Sequence, residues 1–410
     1  MQPANTNIAM AAEQPESTDS TASVPFYQRG SLESLLSPVS EEEFRARYWE
    51  KKPLIVHREN PNYYGDLFSL QDFDDYLNLG QGYVKTAEAT GKKSSRHEGT
   101  GPQAMEKVLS DMQAGHTLIL DNMQAYHPRL GRLCRMLGQE TGDYYQTNLY
   151  LTPAKGKGFT PHWDNHDVFI LQVMGSKHWK VEKTRRTLPL KFSGIEEEGR
   201  ELRGEVYEFT LRQGDTVYIP RGFVHAAECG AENSLHVTLG IHPHTWDELL
   251  IAALKAAAMA DENLRLCLPA GYMQGDGAGI VRRAGEIFRN IADPDFLAGV
   301  LNQYRDEIVQ RSALDISGQV ESFFNNRALT LDDRMKVRPG MVYILRDGTD
   351  TVTLKVGTRS ITFPDFFADA LRHALQQAFF RIRDLPGDLE DEEKLVFVER
   401  LIQEALITRA

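Results

Sequence analysis

Between Thr117 and Ile241 the chain is a succession of short apolar runs cut by turn residues. They are Thr117-Leu118-Ile119-Leu120, Tyr144 to Leu151, Val168 to Met174, Trp179 to Val181, Gly204 to Leu211, Thr216 to Ile219 and Leu235 to Ile241. Each has the length and the β-branched or aromatic content of a strand, and the close spacing restricts this part of the chain to a β-sandwich or barrel. A helix over about Pro128 to Leu137 precedes most of the block. Ile195 to Glu201 reads as an acidic, hairpin-like, solvated excursion.

The flanks have a different texture. Residues 1–26 are rich in Ala, Gln, Glu, Ser, Thr and Pro, have little to bury, and read as a disordered tail. Ser40-Glu41-Glu42-Glu43 reads as a capping box opening a short helix that Pro53 stops, before a strand at Leu54-Ile55-Val56. Ser69 to Leu79 repeats the helical pattern. Tyr83 to Gly101 reads as a mobile loop with a basic centre, Lys92-Lys93-Ser94-Ser95-Arg96-His97, first as solvated surface and second as a contact for an acidic or phosphate-bearing partner. Thr245-Trp246-Asp247-Glu248 starts a helical stretch that runs to about Gln310. Gly275-Asp276-Gly277-Ala278-Gly279 has the glycines of a nucleotide-binding turn but no preceding strand, and reads as a loop. From about Ser317 onward helix and strand mix. Asp347-Gly348 joins Val342–Leu345 to Thr351–Val356 as a hairpin, and Phe363–Phe379 and Glu390–Ile407 read as amphipathic helices, so that the end of the chain looks like a winged-helix module.

Charge and cysteine content narrow the function. A net charge of −12 and a pI near 5.5 repel a phosphate backbone, so direct nucleic-acid binding is not expected. Cys134, Cys229 and Cys267 are scattered, without the spacing of a zinc cluster or a disulfide framework, which fits a reducing, cytoplasmic compartment. No apolar run has membrane-spanning length, and the N-terminus lacks the pattern of a signal peptide.

The chemistry concentrates in Pro161-His162-Trp163-Asp164 and in Gly214-Asp215-Thr216-Val217-Tyr218-Ile219-Pro220-Arg221-Gly222-Phe223-Val224-His225. Residues i and i+2 of an extended segment share a face, so His162 and Asp164 can hold one ion between them. The second segment reads as turn, strand and tight corner, presenting His225 at the start of the next strand. A lone histidine is most often a satisfied polar residue, and His166, His178, His236, His242 and His244 are read that way. Two imidazoles and one carboxylate in this pattern form a facial triad that leaves positions open, as iron(II) needs for a chelating co-substrate and dioxygen. Lys177, at the far end of a barrel strand, is costly to bury unpaired. It is placed to neutralise the second carboxylate of a dicarboxylate co-substrate.

These residues resemble the JmjC-type, cupin-like 2-oxoglutarate oxygenases, and within them the ribosomal oxygenases. The likeness is carried by Asn148-Leu149-Tyr150-Leu151-Thr152-Pro153, Pro161 to Trp179, Tyr218 to His225, Ser234 to Thr238, Leu268-Pro269 and Asp384-Leu385-Pro386-Gly387, and it extends from about Ser31 to the end. The resemblance implies a mainly β fold with added helices: a double-stranded β-helix (jelly-roll) core over residues 27–244, a helical dimerisation segment over 245–316, and a winged-helix domain over 317–410. It implies Fe(II) held by His162, Asp164 and His225, 2-oxoglutarate with its distal carboxylate on Lys177, and O2. Asn148 and Tyr150 would line the pocket, with Thr238 near the co-substrate. Family members hydroxylate a ribosomal-protein side chain, a histidine in the eukaryotic enzymes and an arginine in a bacterial relative, and a homodimer is expected. Lys177 matches the histidyl type, since the arginyl type has arginine there. Gly240 stands where the histidyl enzymes carry a substrate-contacting serine, which leaves the substrate side chain open. The alternatives are an oxygenase of a peptide natural product, a small molecule or a methylated lysine, and a non-catalytic assembly factor.

Overall fold

The computed structural model describes residues 25–79, 83–88, 94–98, 102–156, 160–183, 188–191, 204–275, 277–324 and 327–410. Most of the tail and the whole Ile195–Glu201 excursion lie outside them. The chain divides into two compact units, Met1–Pro243 and His244–Ala410.

The first unit begins with helices α1 (Phe26–Arg29), α2 (Leu32–Leu36) and α3 (Glu41–Arg47), strand β1 (Leu54–Val56) and helix α4 (Leu70–Leu79). At α3 the Ser40 side chain accepts from the Glu43 amide, the cap that the sequence suggests. Next come β2 (Tyr83–Ala87), β3 (Ser94–Glu98), α5 (Pro102–Gln113), β4 (Thr117–Leu120), α6 (Pro128–Thr141) and β5 (Tyr144–Thr152). The unit closes with β6 (Asp167–Glu182), β7 (Val206–Arg212), β8 (Thr216–Ile219), β9 (Val224–Glu228) and β10 (Ser234–His242). These ten strands form one sheet in the order β1-β8-β6-β10-β5-β4-β2-β3, with β7 and β9 both pairing with β6, and the pairings are antiparallel.

Two sequence readings need correction. Tyr83 to Gly101 is not simply a loop: Tyr83–Ala87 pairs with Ser94–Glu98, and β2 continues the sheet from β4. The basic, Ser-rich sequence of Ser94–Glu98 has no apolar alternation to mark it as a strand, and its backbone pairs with β2 all the same. Val168–Met174 and Trp179–Val181 are likewise one strand of 16 residues. The apparent break is Gly175, at φ 63°, where a Cβ would stand 1.9 Å from the Asn233 carbonyl oxygen. Only glycine tolerates both constraints. Before the bend β6 pairs with β8 and β10, and after it with β7 and β9, so one strand wraps the barrel.

Burial follows the strand alternation. On β10, Leu235, Val237, Leu239 and Ile241 join the core that Phe26, Leu35, Leu36, Phe44 and Leu133 of the flanking helices complete. Ser234, His236, Thr238, Gly240 and His242 alternate with them, facing inward with Thr152, Tyr150, Asn148, Gln146 and Tyr144 of β5 opposite. A second apolar cluster, including Val168, Ile170, Trp179, Val217 and Phe223, fills the rest of the barrel interior.

The second unit opens with α7 (Trp246–Ala260), whose start is the Thr245/Glu248 capping box expected, then α8 (Ala278–Ile291) and α9 (Pro294–Arg311). The Gly275–Gly279 run is a loop only as far as Gly277, which precedes α8, and Asp276 lies outside the described residues. After α10 (Gln319–Phe324) come β11 (Arg334–Val337), β12 (Tyr343–Asp347), β13 (Thr351–Val356) and β14 (Arg359–Pro364). They are followed by α11 (Ala368–Gln376), β15 (Phe380–Arg381), α12 (Asp391–Gln403) and β16 (Ile407–Arg409). The expected hairpin is therefore two strands of a three-stranded sheet, and a second sheet runs β15-β11-β16. Phe363 and Ile407, read as helical, are strand residues, because each pairs into a sheet instead of extending the neighbouring helix.

Candidate metal centre

The centre is built on a backbone bridge. His162 and His225 face each other as an isolated antiparallel pair, with His225 N–H donating to the His162 carbonyl at 2.8 Å and His162 N–H returning the bond at 3.2 Å. The His162–Asp164 segment is thus extended, as its spacing suggests, but it is not a strand of the sheet: it is pinned to the start of β9 by this isolated bridge. Gly222, at φ 84°, turns the corner after Pro220 and donates its N–H to the Asp164 carbonyl at 2.9 Å. The motif Pro-x-Gly-x-x-His therefore places its histidine and also binds the segment that carries the other two side chains.

One ligand-type atom from each of His162, Asp164 and His225 lies within 4.8 Å of the others. His162 Nδ1 is 2.9 Å from the Thr160 carbonyl and His225 Nδ1 is 3.1 Å from the Phe223 carbonyl. Carbonyls only accept, so each Nδ1 carries the hydrogen and each Nε2 keeps its lone pair for an ion. His225 Nε2 points to Asp164 Oδ2 at 3.6 Å. Burial above all, with repulsion between the two imidazoles were both protonated, pulls the His225 pKa down to about 4 and keeps that imidazole neutral. Burial opposes ionisation of Asp164, but His225, His166 and His162 together hold its carboxyl below the ordinary value. A neutral imidazole and an ionised carboxylate are the forms that ligate a divalent cation.

A buried clamp fixes the approach. Asp167, fully buried, accepts from Arg221 Nη1 at 2.7 Å, from the Arg221 amide at 3.3 Å and from the Tyr218 hydroxyl at 2.6 Å. Arg221 Nη2 reaches Glu50 at 2.6 Å, and the Glu50 amide donates to the Tyr218 hydroxyl at 3.0 Å. Burial raises the Asp167 pKa against the pull of Arg221. The clamp ties the segment after Asp164 to the corner before His225.

Lys177 lies deeper, on β6, at 2% exposure. Its ammonium donates to Thr152 Oγ1 at 2.9 Å, and no carboxylate among the described residues forms an ion pair with it. Burial pulls its pKa down to about 8. Its Nζ stands 5.9 Å from the centre of the Trp179 ring, and the His236 ring is 5.5 Å from Trp179 and stacks on Tyr150 at 4.9 Å. Trp179 Nε1 and His236 Nδ1 are buried and find no hydrogen-bond partner among the described residues. A cation and two unspent polar atoms in one pocket suit a carboxylate ligand.

The remaining sequence candidates share this interior. Tyr150 is held neutral by burial and by the negative charge of Asp164. Asn148 accepts from the Asn122 amide at 3.0 Å, and Thr238 lies directly across from Asn148 and Ile170. His236 and Thr152 belong to the pocket and were not among the candidates, although the period-two alternation along β5 and β10 marks both. His166 stacks on His242, with ring centres 4.7 Å apart. His178 pairs with Glu208 and Thr210, and His244 with Tyr304, so these two serve packing as read.

The JmjC domain family matches residues 120–249. Ribosomal oxygenase 2 of Bos taurus is 30% identical, over 92% of this chain and 91% of its own length. Ribosomal oxygenase 1 of Gallus gallus is 36% identical over 58% of this chain, which spans only 42% of that longer protein. In fold, the chain is similar to YcfD, a ribosomal oxygenase from Escherichia coli solved in complex with cobalt and 2-oxoglutarate. The TM-score is 0.53 at 17% identity, over 91% of this chain and 98% of the other.

Replacing Arg221 by Met should strand the buried Asp167 carboxylate and cost about 3–5 kcal/mol of stability, whereas adding Asp167→Asn should recover part of the loss. Urea unfolding of both variants measures this. A loss below about 1 kcal/mol for Arg221→Met would mean the clamp contributes nothing beyond a surface ion pair.

Proposed function

Because the chain belongs to the ribosomal oxygenase family of JmjC-domain proteins, we propose that it hydroxylates a polypeptide side chain, a histidine or arginine of a ribosomal protein. It is a 2-oxoglutarate-dependent oxygenase, and its cofactor set is Fe(II), 2-oxoglutarate and O2. The observation that carries the reading is the convergence of His162, Asp164 and His225 above a buried, uncompensated Lys177.

The roles follow from chemistry. His162, Asp164 and His225 would hold the iron through two Nε2 atoms and one carboxylate. Iron held there would supply the coupling of 2-oxoglutarate oxidation, to succinate and CO2, with insertion of one oxygen atom of O2 into a substrate C–H bond. Lys177 neutralises the distal carboxylate, Thr152 orients the ammonium, and Trp179 and His236 offer their unspent nitrogens to the same anion. Asn148, Tyr150 and Thr238 line the pocket between co-substrate and substrate. Trp163, Trp179 and Phe223, all buried, keep water out.

Other parts of the chain are assigned by the same reading. The catalytic domain runs to residue 244 and starts at Phe26 rather than residue 27, because Phe26 lies in α1 and in the core; 245–316 make a dimerisation segment and 317–410 a winged helix. Support for self-association comes from α7 and α8, which expose Trp246 at 80%, with Leu250, Leu254, Met259, Val281 and Phe288. Among the described residues no helix is long and apolar enough to cross a membrane. The scattered cysteines, without a disulfide framework, are what support placing the protein in the cytoplasm.

Incubation with Fe(II), 2-oxoglutarate and ribosomal proteins should yield succinate and a one-oxygen mass gain on one ribosomal protein. Asp164→Ala should abolish both while the circular dichroism spectrum is kept, and surviving turnover would remove the metal assignment. Lys177 supplies a pH test. Its folded pKa is depressed to about 8, so the ammonium is charged at neutral pH and loses its proton as pH rises through that value. The 2-oxoglutarate concentration for half-saturation should therefore climb by up to about tenfold per pH unit above about pH 8. A flat profile from pH 7 to 9.5 would mean that another group anchors the co-substrate. In sedimentation, the full chain should run at twice 46.4 kDa, and a monomer across the micromolar range would end the dimer assignment.

A further inference from the structure

The inward row of β10 gives the pocket a direction. Ser234, His236, Thr238, Gly240 and His242 succeed one another on it, about 7 Å per step. The deep end lies at Ser234 and Thr152, where Lys177 is buried. The outer end lies at His242, opposite Tyr144, which is 54% exposed. A co-substrate anchored at the deep end leaves the outer end for the substrate.

Gly240 is the step where the row changes character. A Cβ built there would meet His166 Cδ2 at 2.9 Å, His166 Nε2 at 3.1 Å and Gln146 Cγ at 3.1 Å. The room that a side chain at 240 would fill is already taken by the His166 imidazole. That ring stacks on His242, at 4.7 Å and 21°, and His242 in turn contacts Tyr144 at 5.7 Å and 40°. Three rings from three different segments thus meet at the outer end. The first comes from a residue two positions past Asp164, in the bend that leads into β6. None of them is needed to hold the metal or the co-substrate.

We propose that His166, seated in the space left by Gly240, is a specificity-determining residue, forming with His242 and Tyr144 a wall against which a planar substrate side chain packs. The proposal rests on the reading of this site as an oxygenase of a histidine or arginine side chain and names the residue that selects it. An imidazole or a guanidinium lies flat against such rings, whereas the tetrahedral ammonium of lysine gains no stacking. His166 and Gly240 act as one unit, since the ring is accommodated only because residue 240 has no side chain.

The test uses the full chain with Fe(II), 2-oxoglutarate and ribosomal proteins extracted from a bacterial ribosome preparation. His166→Ala should raise the ribosomal-protein concentration for half-saturation by about tenfold or more, with that for 2-oxoglutarate changing by less than about twofold. Gly240→Ser should weaken substrate use in the same sense by displacing the ring, and the His166→Ala/Gly240→Ser double variant should perform better than Gly240→Ser alone, since the clash is gone. Unchanged half-saturation for the ribosomal proteins in His166→Ala overturns the proposal, as does an equal rise for both substrates, the signature of a merely structural role. A wild-type chain that consumes no 2-oxoglutarate overturns the oxygenase reading and this proposal with it, so the two failures are distinct.

Discussion

The arrangement depends on the pair of backbone hydrogen bonds between His162 and His225. Neither residue's place in sequence brings them together. The bridge does so, and it fixes the separation of two imidazoles without using either ring. The side chains are then free to spend Nδ1 on the Thr160 and Phe223 carbonyls and to keep Nε2 for an ion. Because Gly222 also holds the Asp164 carbonyl, the carboxylate is positioned by the same corner. A site assembled from main-chain bonds loses little when a side chain moves, which suits a centre that must keep its geometry while co-substrate and substrate come and go.

Below this bridge the interior is arranged by polarity. The strand alternation that packs Leu235, Val237 and Leu239 against the helices leaves His236, Thr238 and Gly240 facing inward, so one period-two pattern makes both the core and the pocket. Burying the Lys177 ammonium costs free energy that the Thr152 hydroxyl offsets only in part, and its depressed pKa records the remainder. An anionic ligand recovers that cost on binding. The Asp167–Arg221 clamp is the opposite case, a buried charge satisfied within the protein, and its work is to hold two segments in register.

What the sequence reveals, and what it hides, follows from the range of each interaction. Turn chemistry is local, so the Gly214-Asp215 turn, the Pro220–Gly222 corner and the strand carrying His225 are legible, as are the ligand residues by type and Lys177 by the cost of burying it. The unity of β6 is hidden, since Gly175 reads as a break until the Asn233 carbonyl closes over it. The β2–β3 pairing is hidden because a basic, Ser-rich strand offers no apolar period. The clamp joins residues 54 positions apart, and the fit of His166 against Gly240 joins the bend before β6 to β10, two segments that no local pattern relates. At the C-terminal end the amphipathic period runs on past the true helix ends, because strand residues such as Phe363 and Ile407 are as apolar as the helix faces beside them.

The proposed function requires that His162, Asp164, His225 and Lys177 act as one site for iron and 2-oxoglutarate, and anaerobic titration of the full chain with Fe(II) and 2-oxoglutarate, followed by visible absorption, measures that requirement. The chelate should give a charge-transfer band only when both are present, absent in His225→Ala and requiring far more 2-oxoglutarate in Lys177→Ala. A band of undiminished strength in His225→Ala, or one with the same 2-oxoglutarate requirement in Lys177→Ala, would contradict it.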